Sequence, residues 1–290
     1  MEHKPIDRAI LDLYDEYTHK PLERRVFLHR LAELAGGTAA ATVILPLLEN
    51  NYARAATIAE NDARLQTGYV DYPGAKGDVR AYYAKPKGDA KQPSLIVVHE
   101  NRGLNPHIED VARRAAAEGF FALAPDLLSA FGGTPKADDA ARAAFARIDT
   151  ALAVADLSAA VDYLGSRPDV SGRIGVVGFC WGGGMTNRLV MASPRVAAAA
   201  PFYGPVPEKI DASRIKAALM LHYAGLDDRV NAGIPRYEAA LKAAGVRYTI
   251  YMYPGANHAF HNDTAGERYN KDAAELAWSR TMAFFKQNLR

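Results

Sequence analysis

The 290-residue chain contains one cysteine, and its neighbours suit it to attack a carbonyl carbon. Cys180 stands in Val177-Gly178-Phe179-Cys180-Trp181-Gly182-Gly183-Gly184, directly after the apolar run Ile174-Gly175-Val176-Val177. Glycine, any residue, nucleophile, any residue, glycine, placed after a strand, describes a sharp turn into a helix that holds the central side chain in a strained backbone geometry. Glycine is required two places before and two after, where the chains approach too closely for a Cβ. Gly178 and Gly182 stand there. Alone, the same residues describe a buried cysteine packing as a small hydrophobe beside a glycine turn. The decision rests on whether a base and an acid follow.

They do, in the order nucleophile, acid, histidine, each just past a strand. Ala217-Ala218-Leu219-Met220-Leu221-His222-Tyr223 reads as a buried strand, and the turn leaving it, Ala224-Gly225-Leu226-Asp227-Asp228, supplies the acid. Asp227 is the candidate, with Asp228 its competitor. Arg247-Tyr248-Thr249-Ile250-Tyr251-Met252-Tyr253 reads as a β-branched and aromatic strand closed by Pro254-Gly255-Ala256-Asn257-His258, which makes His258 the candidate base. An earlier strand, Ser94-Leu95-Ile96-Val97-Val98-His99, ends in Glu100-Asn101-Arg102-Gly103. A Glu100 carboxylate there would face the crevice at the carboxyl ends of the strands; the plainer alternative is a surface ion pair with Arg102. The same loop should supply one backbone N–H of an oxyanion hole, from Asn101, and Trp181 the other.

With these segments in view, the sequence resembles the dienelactone hydrolase family, the carboxymethylenebutenolidase-like branch of the α/β-hydrolases. The matching residues are Gly178-Phe179-Cys180-Trp181-Gly182-Gly183, His99-Glu100-Asn101-Arg102-Gly103, Ala124-Pro125-Asp126-Leu127, Phe202-Tyr203-Gly204, Gly225-Leu226-Asp227-Asp228-Arg229-Val230 and Tyr253-Pro254-Gly255-Ala256-Asn257-His258-Ala259-Phe260, within residues 65–290. The resemblance implies a triad of Cys180, His258 and Asp227. It further implies that Glu100 contacts the resting thiol and helps remove its proton, and that the enzyme needs no cofactor to cleave an ester or lactone. Arg102, Phe131, Tyr203, Phe260 and His261 are the candidate substrate contacts. Members acting on dienelactone are expected to hold its carboxylate with arginines shortly after the Pro-Asp-Leu segment and after the triad histidine. Here those stretches read Leu128-Ser129-Ala130-Phe131-Gly132 and Ala259-Phe260-His261-Asn262. An unpaired anion in an apolar pocket is costly, so a neutral or aromatic ester, lactone or thioester is the expected substrate, with Arg102 or His261 as the alternative anion holders.

A thiol paired with histidine is ionised well below its free value of about 8.5, so no metal is needed to activate it. The acyl-thioester formed on it is then hydrolysed by water with His258 as general base. Activated esters and enol lactones suit this chemistry better than amides, whose leaving group is poor.

Composition fits a globular enzyme: 49% hydrophobic and 23% charged residues, in a length sufficient for one sizeable core and an extension. The net charge of +2, with dispersed basic residues, does not point to nucleic acid. A single cysteine excludes an internal disulfide, and no residues have zinc-ligand spacing. His3, His19, His29 and His107 have no companion ligands and read as ordinary surface or packing residues.

From residue 65 onward strands alternate with helical stretches, the signature of an α/β fold with a mostly parallel sheet of about eight strands and helices on both faces. Strands are expected near 66–72, 79–84, 95–99, 120–124, 174–177, 197–203, 218–223 and 248–253, the first two forming an antiparallel edge joined by a turn over Pro73–Asp78. Helices are expected over 108–118, 137–166, 181–191, 233–244 and 271–288, and the segment 127–135 as a mobile rim of the pocket.

Residues 1–64 form a separate N-terminal extension with two readings. Arg24-Arg25-Val26-Phe27-Leu28, an apolar stretch from Leu31 to Leu48, and Ala53-Arg54-Ala55 resemble a twin-arginine export signal with its cleavage site, which would place the mature protein in the periplasm. Glu33 and Pro46 interrupt the stretch, so it is not a stable membrane span. Alternatively, Ile6, Ile10, Leu13, Tyr14 and Tyr17 mark one helical face, and Pro21 opens a second helix carrying Leu22, Leu28 and Leu31. The extension is then a docked helical arm, retained in the cytoplasm or serving a homo-oligomer interface. The sequence as a whole thus predicts a cysteine-dependent hydrolase of small esters or lactones. Its rivals are a broad carboxylesterase or thioesterase, and a non-catalytic binding or redox-sensing protein in which Cys180 is oxidised.

Overall fold

The computed structural model describes residues 6–20, 22–52 and 56–290. Eight strands form one sheet: β1 (Leu65–Gly74), β2 (Gly77–Pro86), β3 (Gln92–Val98), β4 (Phe121–Pro125), β5 (Val170–Phe179), β6 (Val196–Phe202), β7 (Ala218–Ala224) and β8 (Tyr248–Tyr253). Their spatial order is β1-β2-β4-β3-β5-β6-β7-β8. β2 pairs antiparallel with both β1 and β4, and every other pairing is parallel. The inner strands β4 and β7 are buried at every residue, as a strand covered on both faces must be. The β1–β2 register runs from Leu65↔Pro86 to Gly74↔Gly77. The turn is therefore only Ala75-Lys76, tighter than the Pro73–Asp78 expected, and Gly77 takes the positive φ of 98° that it demands.

Helices cover both faces. Residues of α4 (Pro106–Ala117) and α10 (Lys271–Asn288) share one buried cluster with the sheet. Residues of α6 (Thr150–Ser166), α7 (Trp181–Ala192) and α9 (Ile234–Ala243) share the other. The single helix expected over 137–166 is two, α5 (Asp138–Phe145) and α6. The break falls at Asp149, whose carboxylate accepts from Ala151 N at 2.7 Å and so starts a new helix. This is the α/β-hydrolase fold. The strand order reverses at β3, which lies between β4 and β5, so the ends of β3 and β5 open into the crevice where such sheets bind ligands.

The extension is helical: α1 (Arg8–His19), α2 (Arg24–Ala35) and α3 (Thr38–Leu48). Gly36, at φ 81°, ends α2 in the left-handed conformation common at helix ends. Ile10, Leu13, Tyr14, Tyr17, Phe27 and Leu31 are buried together in a small core distinct from the two sheet clusters. The helical face expected on α1 is thus the one buried. The arm meets the hydrolase domain mainly through polar contacts. Arg8 Nη1 donates to Asn257 Oδ1 at 2.9 Å, Asn101 Nδ2 to Thr18 O at 2.7 Å, Arg142 Nη1 to Tyr17 O at 2.8 Å and Asn51 N to Thr264 O at 2.7 Å. No single helix among the described residues is long and apolar enough to cross a membrane; α2 and α3 pass that test only together, across a 111° bend. His3, Pro21 and the cleavage-like Ala53-Arg54-Ala55 lie outside the described residues.

Candidate active site

Cys180 occupies the turn between β5 and α7 with φ 55° and ψ −121°, a conformation costly for any residue but glycine. The flanking glycines permit it. A Cβ on Gly178 would sit 2.3 Å from Gly182 O, and one on Gly182 would sit 2.4 Å from His99 O, backbone contacts that cannot move aside. Cys180 N donates to Phe202 O at 3.0 Å, tying the turn to β6. The side chain is left at the N-terminus of α7, where the helix dipole favours negative charge.

β7 delivers Asp227 to the N-cap of α8 (Asp228–Asn231), where its Oδ1 accepts from Val230 N at 3.3 Å. Its other oxygen lies 2.5 Å from Nδ1 of His258, carried by the loop after β8. Asp228 is exposed, so of the two candidate acids Asp227 is the one on the histidine. His258 Nε2 is buried and faces Cys180, without a hydrogen bond of regular geometry.

The thiol's regular hydrogen bond is to a residue of the arm. His19, the last residue of α1, places Nε2 3.2 Å from Cys180 Sγ. Its Nδ1 is held by Asp15, at 2.9 Å from the backbone oxygen and 3.0 Å from Oδ1. Asp15 in turn accepts from Arg229 Nε at 2.9 Å, one residue past α8's first. Two imidazoles, each backed by a carboxylate, therefore flank one sulfur: the potential ligand atoms of His19, Cys180 and His258 lie within 4.8 Å of one another. The two rings meet edge to face with centroids 4.7 Å apart.

Electrostatics follow from this packing. Burial pushes the Cys180 thiol up, but the charges of His19 and His258 outweigh it and bring the thiol down to about 6. Burial alone would lower His258, yet Asp227 and the thiolate raise it to about 10. His19 is raised against burial by the thiolate and Asp15. Asp15 and Asp227 are both depressed despite burial, chiefly by their histidine partners. These charges favour the thiolate over the thiol and the protonated over the neutral imidazoles.

The other candidates divide. Glu100 is buried at the end of β3, but its hydrogen bonds go to Tyr203 OH at 3.3 Å and Asn262 Nδ2 at 2.6 Å, not to the thiol expected from family resemblance. Nor is it a surface partner of Arg102, whose buried guanidinium donates to Asn101 O at 3.1 Å. Tyr203, with a strained φ of 37°, links the pieces: its hydroxyl reaches Glu100 and its ring lies edge-on to His258 at 4.9 Å. Phe260 and His261 are corrections as substrate contacts. The turn at Ala259, φ 66°, sends Phe260 into the core against Tyr253 and His261 onto Phe179 and Trp278, behind the site. Burial pushes His261 well below its ordinary value, so it cannot hold an anion by charge. Phe131 packs under the Arg147 guanidinium at 4.7 Å, on the half-exposed segment after β4.

A cleft of about 770 Å³ runs between α1, α5 and the thiol-bearing turn, bounded by Tyr17, His19, Asn101, Phe145 and Trp181. A second, of about 340 Å³, lies on the other side of α1 and contains Asp15, Asp227, Arg229 and His258. The arm forms a wall of each.

Known proteins share this arrangement's framework. The family model described as "Dienelactone hydrolase family" matches residues 79–289. The chain is 33% identical over 246 residues to "Putative carboxymethylenebutenolidase" of Methylorubrum extorquens, covering 80% of this chain and 84% of that protein. The chain belongs to the dienelactone hydrolase family. Its members' structures superpose well: a dienelactone hydrolase-type protein from Klebsiella pneumoniae gives a TM-score of 0.69 at 29% identity, over 77% of this chain and 99% of that one. The metagenomic "Dienelactone Hydrolase-like Promiscuous Phospotriesterase P91" gives 0.70 at 22% identity, over 78% and 100%, a likeness of fold. As a family member this protein is a hydrolase acting on ester bonds. The family match begins at residue 79, so the arm and its His19 lie outside it.

His19, Asp15 and Arg229 were not among the site residues read from sequence, and His19 was read as a surface or packing residue. Their one local signal is Asp15 and His19 at i and i+4 of an amphipathic helix, the spacing that stacks a carboxylate beneath an imidazole. His107 does pack, pairing with Asp263 at 3.0 Å, and His29 is an exposed i,i+4 partner of Glu33 at 3.4 Å.

Proposed function

We propose that this dienelactone hydrolase-type enzyme cleaves small, neutral or aromatic ester and lactone bonds through an acyl-thioester on Cys180. The observation that carries the reading is the placement of Cys180 in a strained turn at a helix N-terminus within reach of the His258–Asp227 pair, an arrangement that also depresses the thiol. The thiolate attacks the carbonyl carbon, and the negative charge moves to its oxygen. The Trp181 N–H, in the first turn of α7 and without an intrahelical acceptor, supports an oxyanion hole together with the Asn101 N–H across the cleft. His258, fixed by Asp227, protonates the departing alkoxide and then deprotonates water to hydrolyse the thioester.

The cleft supports this substrate class. Tyr17, Phe145 and Trp181 give it aromatic walls. Its Arg142 guanidinium is engaged, stacked 3.9 Å over the Tyr17 ring and donating to Tyr17 O. The names of the relatives favour enol lactones among the candidates. The Arg24-Arg25 motif supports export by the twin-arginine route.

The test is turnover of p-nitrophenyl acetate, a neutral enol lactone and dienelactone by wild type and Cys180→Ala. Turnover of the neutral substrates that is lost in Cys180→Ala is expected. A Cys180→Ala variant as active as wild type refutes the nucleophile, and a preference for dienelactone refutes the neutral-substrate reading.

A further inference from the structure

We propose that the N-terminal arm lends the site a second catalytic histidine: His19 takes and holds the proton of the Cys180 thiol, leaving His258 to serve the leaving group and the water. The inference rests on Cys180 being the nucleophile. Three observations carry it. The thiol's regular hydrogen bond, at 3.2 Å, is to His19 Nε2, while the buried His258 Nε2 faces the same sulfur without one of that geometry. His19 has the full support of a catalytic base, since Asp15 fixes its Nδ1 and Arg229 fixes Asp15. Glu100, the residue that would otherwise manage the thiol proton, is turned towards Tyr203 and Asn262. Cys180 itself is buried, and a cleft of about 770 Å³ reaches its neighbours His19, Asn101 and Trp181.

The proton balance is complete with two histidines. The S–H proton moves to His19 Nε2, and the thiolate forms the C–S bond. Protonated His258 gives its proton to the alkoxide as the ester C–O bond breaks. Neutral His258 then takes a proton from water, hydroxide adds to the thioester carbonyl, and the C–S bond breaks. The departing thiolate is received by protonated His19, and His258 is again protonated for the next turn. Two adjacent imidazoles disfavour each other's charge, so the thiolate between them is what lets both stay protonated at rest.

The readout is the pH dependence of Cys180 alkylation by iodoacetamide, without substrate, in the full chain. Wild type, His19→Ala, His19→Gln and His258→Ala are compared. His19→Ala and His19→Gln should raise the alkylation midpoint by about one unit or more, slowing alkylation about tenfold below it. His258→Ala should move the midpoint less while abolishing ester turnover. Gln guards against undocking, since it keeps a polar contact to the thiol without the charge. An unchanged midpoint in both His19 variants, or a larger shift in His258→Ala than in His19→Gln, overturns the proposal. Its failure is separable from failure of the nucleophile, which is read from turnover by Cys180→Ala.

Discussion

Glu100 is where family resemblance and geometry part, and its replacement discriminates between them. The buried carboxylate accepts from Tyr203 OH and Asn262 Nδ2. Asn262 cannot turn over, because its Oδ1 already accepts from Thr264 N at 3.0 Å and Thr264 Oγ1 at 2.6 Å. In Glu100→Gln the amide oxygen must therefore face Asn262, and the amide N–H must face Tyr203. A phenol oxygen can accept that bond. One charge-assisted bond is weakened and the buried Tyr203 proton loses its acceptor, at a cost of about 1–3 kcal/mol. Glu100→Ala strands both buried donors, at about 1–3 kcal/mol each, so about 2–6 kcal/mol in all. With an unfolding entropy of about 2.1 cal/mol/K per residue, a chain of this length carries about 0.6 kcal/mol/K. The expected falls in Tm are then about 2–5 °C for Gln and about 3–10 °C for Ala, by differential scanning calorimetry. Because neither oxygen bonds the thiol, the alkylation midpoint of Cys180 should stay in place in Glu100→Gln. A shift of a full unit with little loss of Tm would put the carboxylate on the sulfur and refute this account.

Further outcomes follow from the same contacts. The thiol at about 6 sets an acid limb: kcat/KM on a neutral ester should fall about tenfold per pH unit below that value as thiolate is protonated, and a profile flat down to pH 5 would refute it. Asp227→Asn removes the partner that fixes Nδ1 of His258 and should lower kcat about 10²–10⁴-fold in steady-state assays, with the Cys180 alkylation rate far less affected. Asp15 is depressed in the folded chain. The stability it lends the docked arm is therefore fully present above the ordinary carboxylate value of about 3.9 and lost as pH falls towards its folded value. Limited proteolysis should accordingly cut the arm faster at pH 3 than at pH 6, and an unchanged rate would refute the linkage. Gly178→Ala forces a Cβ to 2.3 Å from the Gly182 oxygen and should cost about 3 kcal/mol or the fold itself, whereas Gly175→Ala meets only movable side-chain atoms and should cost less by thermal melting.

What was legible in the sequence was whatever a single segment specifies. A strand followed by Gly-x-Cys-x-Gly fixes its own turn, and the acid and histidine sit where their strands end, so the order and spacing of Cys180, Asp227 and His258 needed no tertiary information. The sheet, with its strands at nearly the expected places, was legible because strands buried on both faces read as continuous apolar runs. Side-chain aim was not. Phe260 and His261 share a loop with His258, yet the positive φ of Ala259 turns both inward, and nothing local marks an alanine for that conformation.

The arm shows the deeper limit. Its own helices were readable from the apolar face of α1, but docking is decided by scattered polar pairs such as Arg8 with Asn257 and Asp15 with Arg229, separated by more than 200 residues. The proposed twin-arginine export and the His19–Cys180 contact also make opposite demands on the same stretch of chain. Cleavage near Ala53-Arg54-Ala55 would discard a histidine that the thiol uses; retention keeps it, whether or not the protein is exported. Intact mass of the protein from its native host separates the two: a full-length 31.4 kDa chain keeps His19 in the site, and a species shortened past residue 19 refutes its role in the working enzyme. The Asp15–Arg229 and Arg8–Asn257 contacts hold the helix that carries His19 against the hydrolase domain.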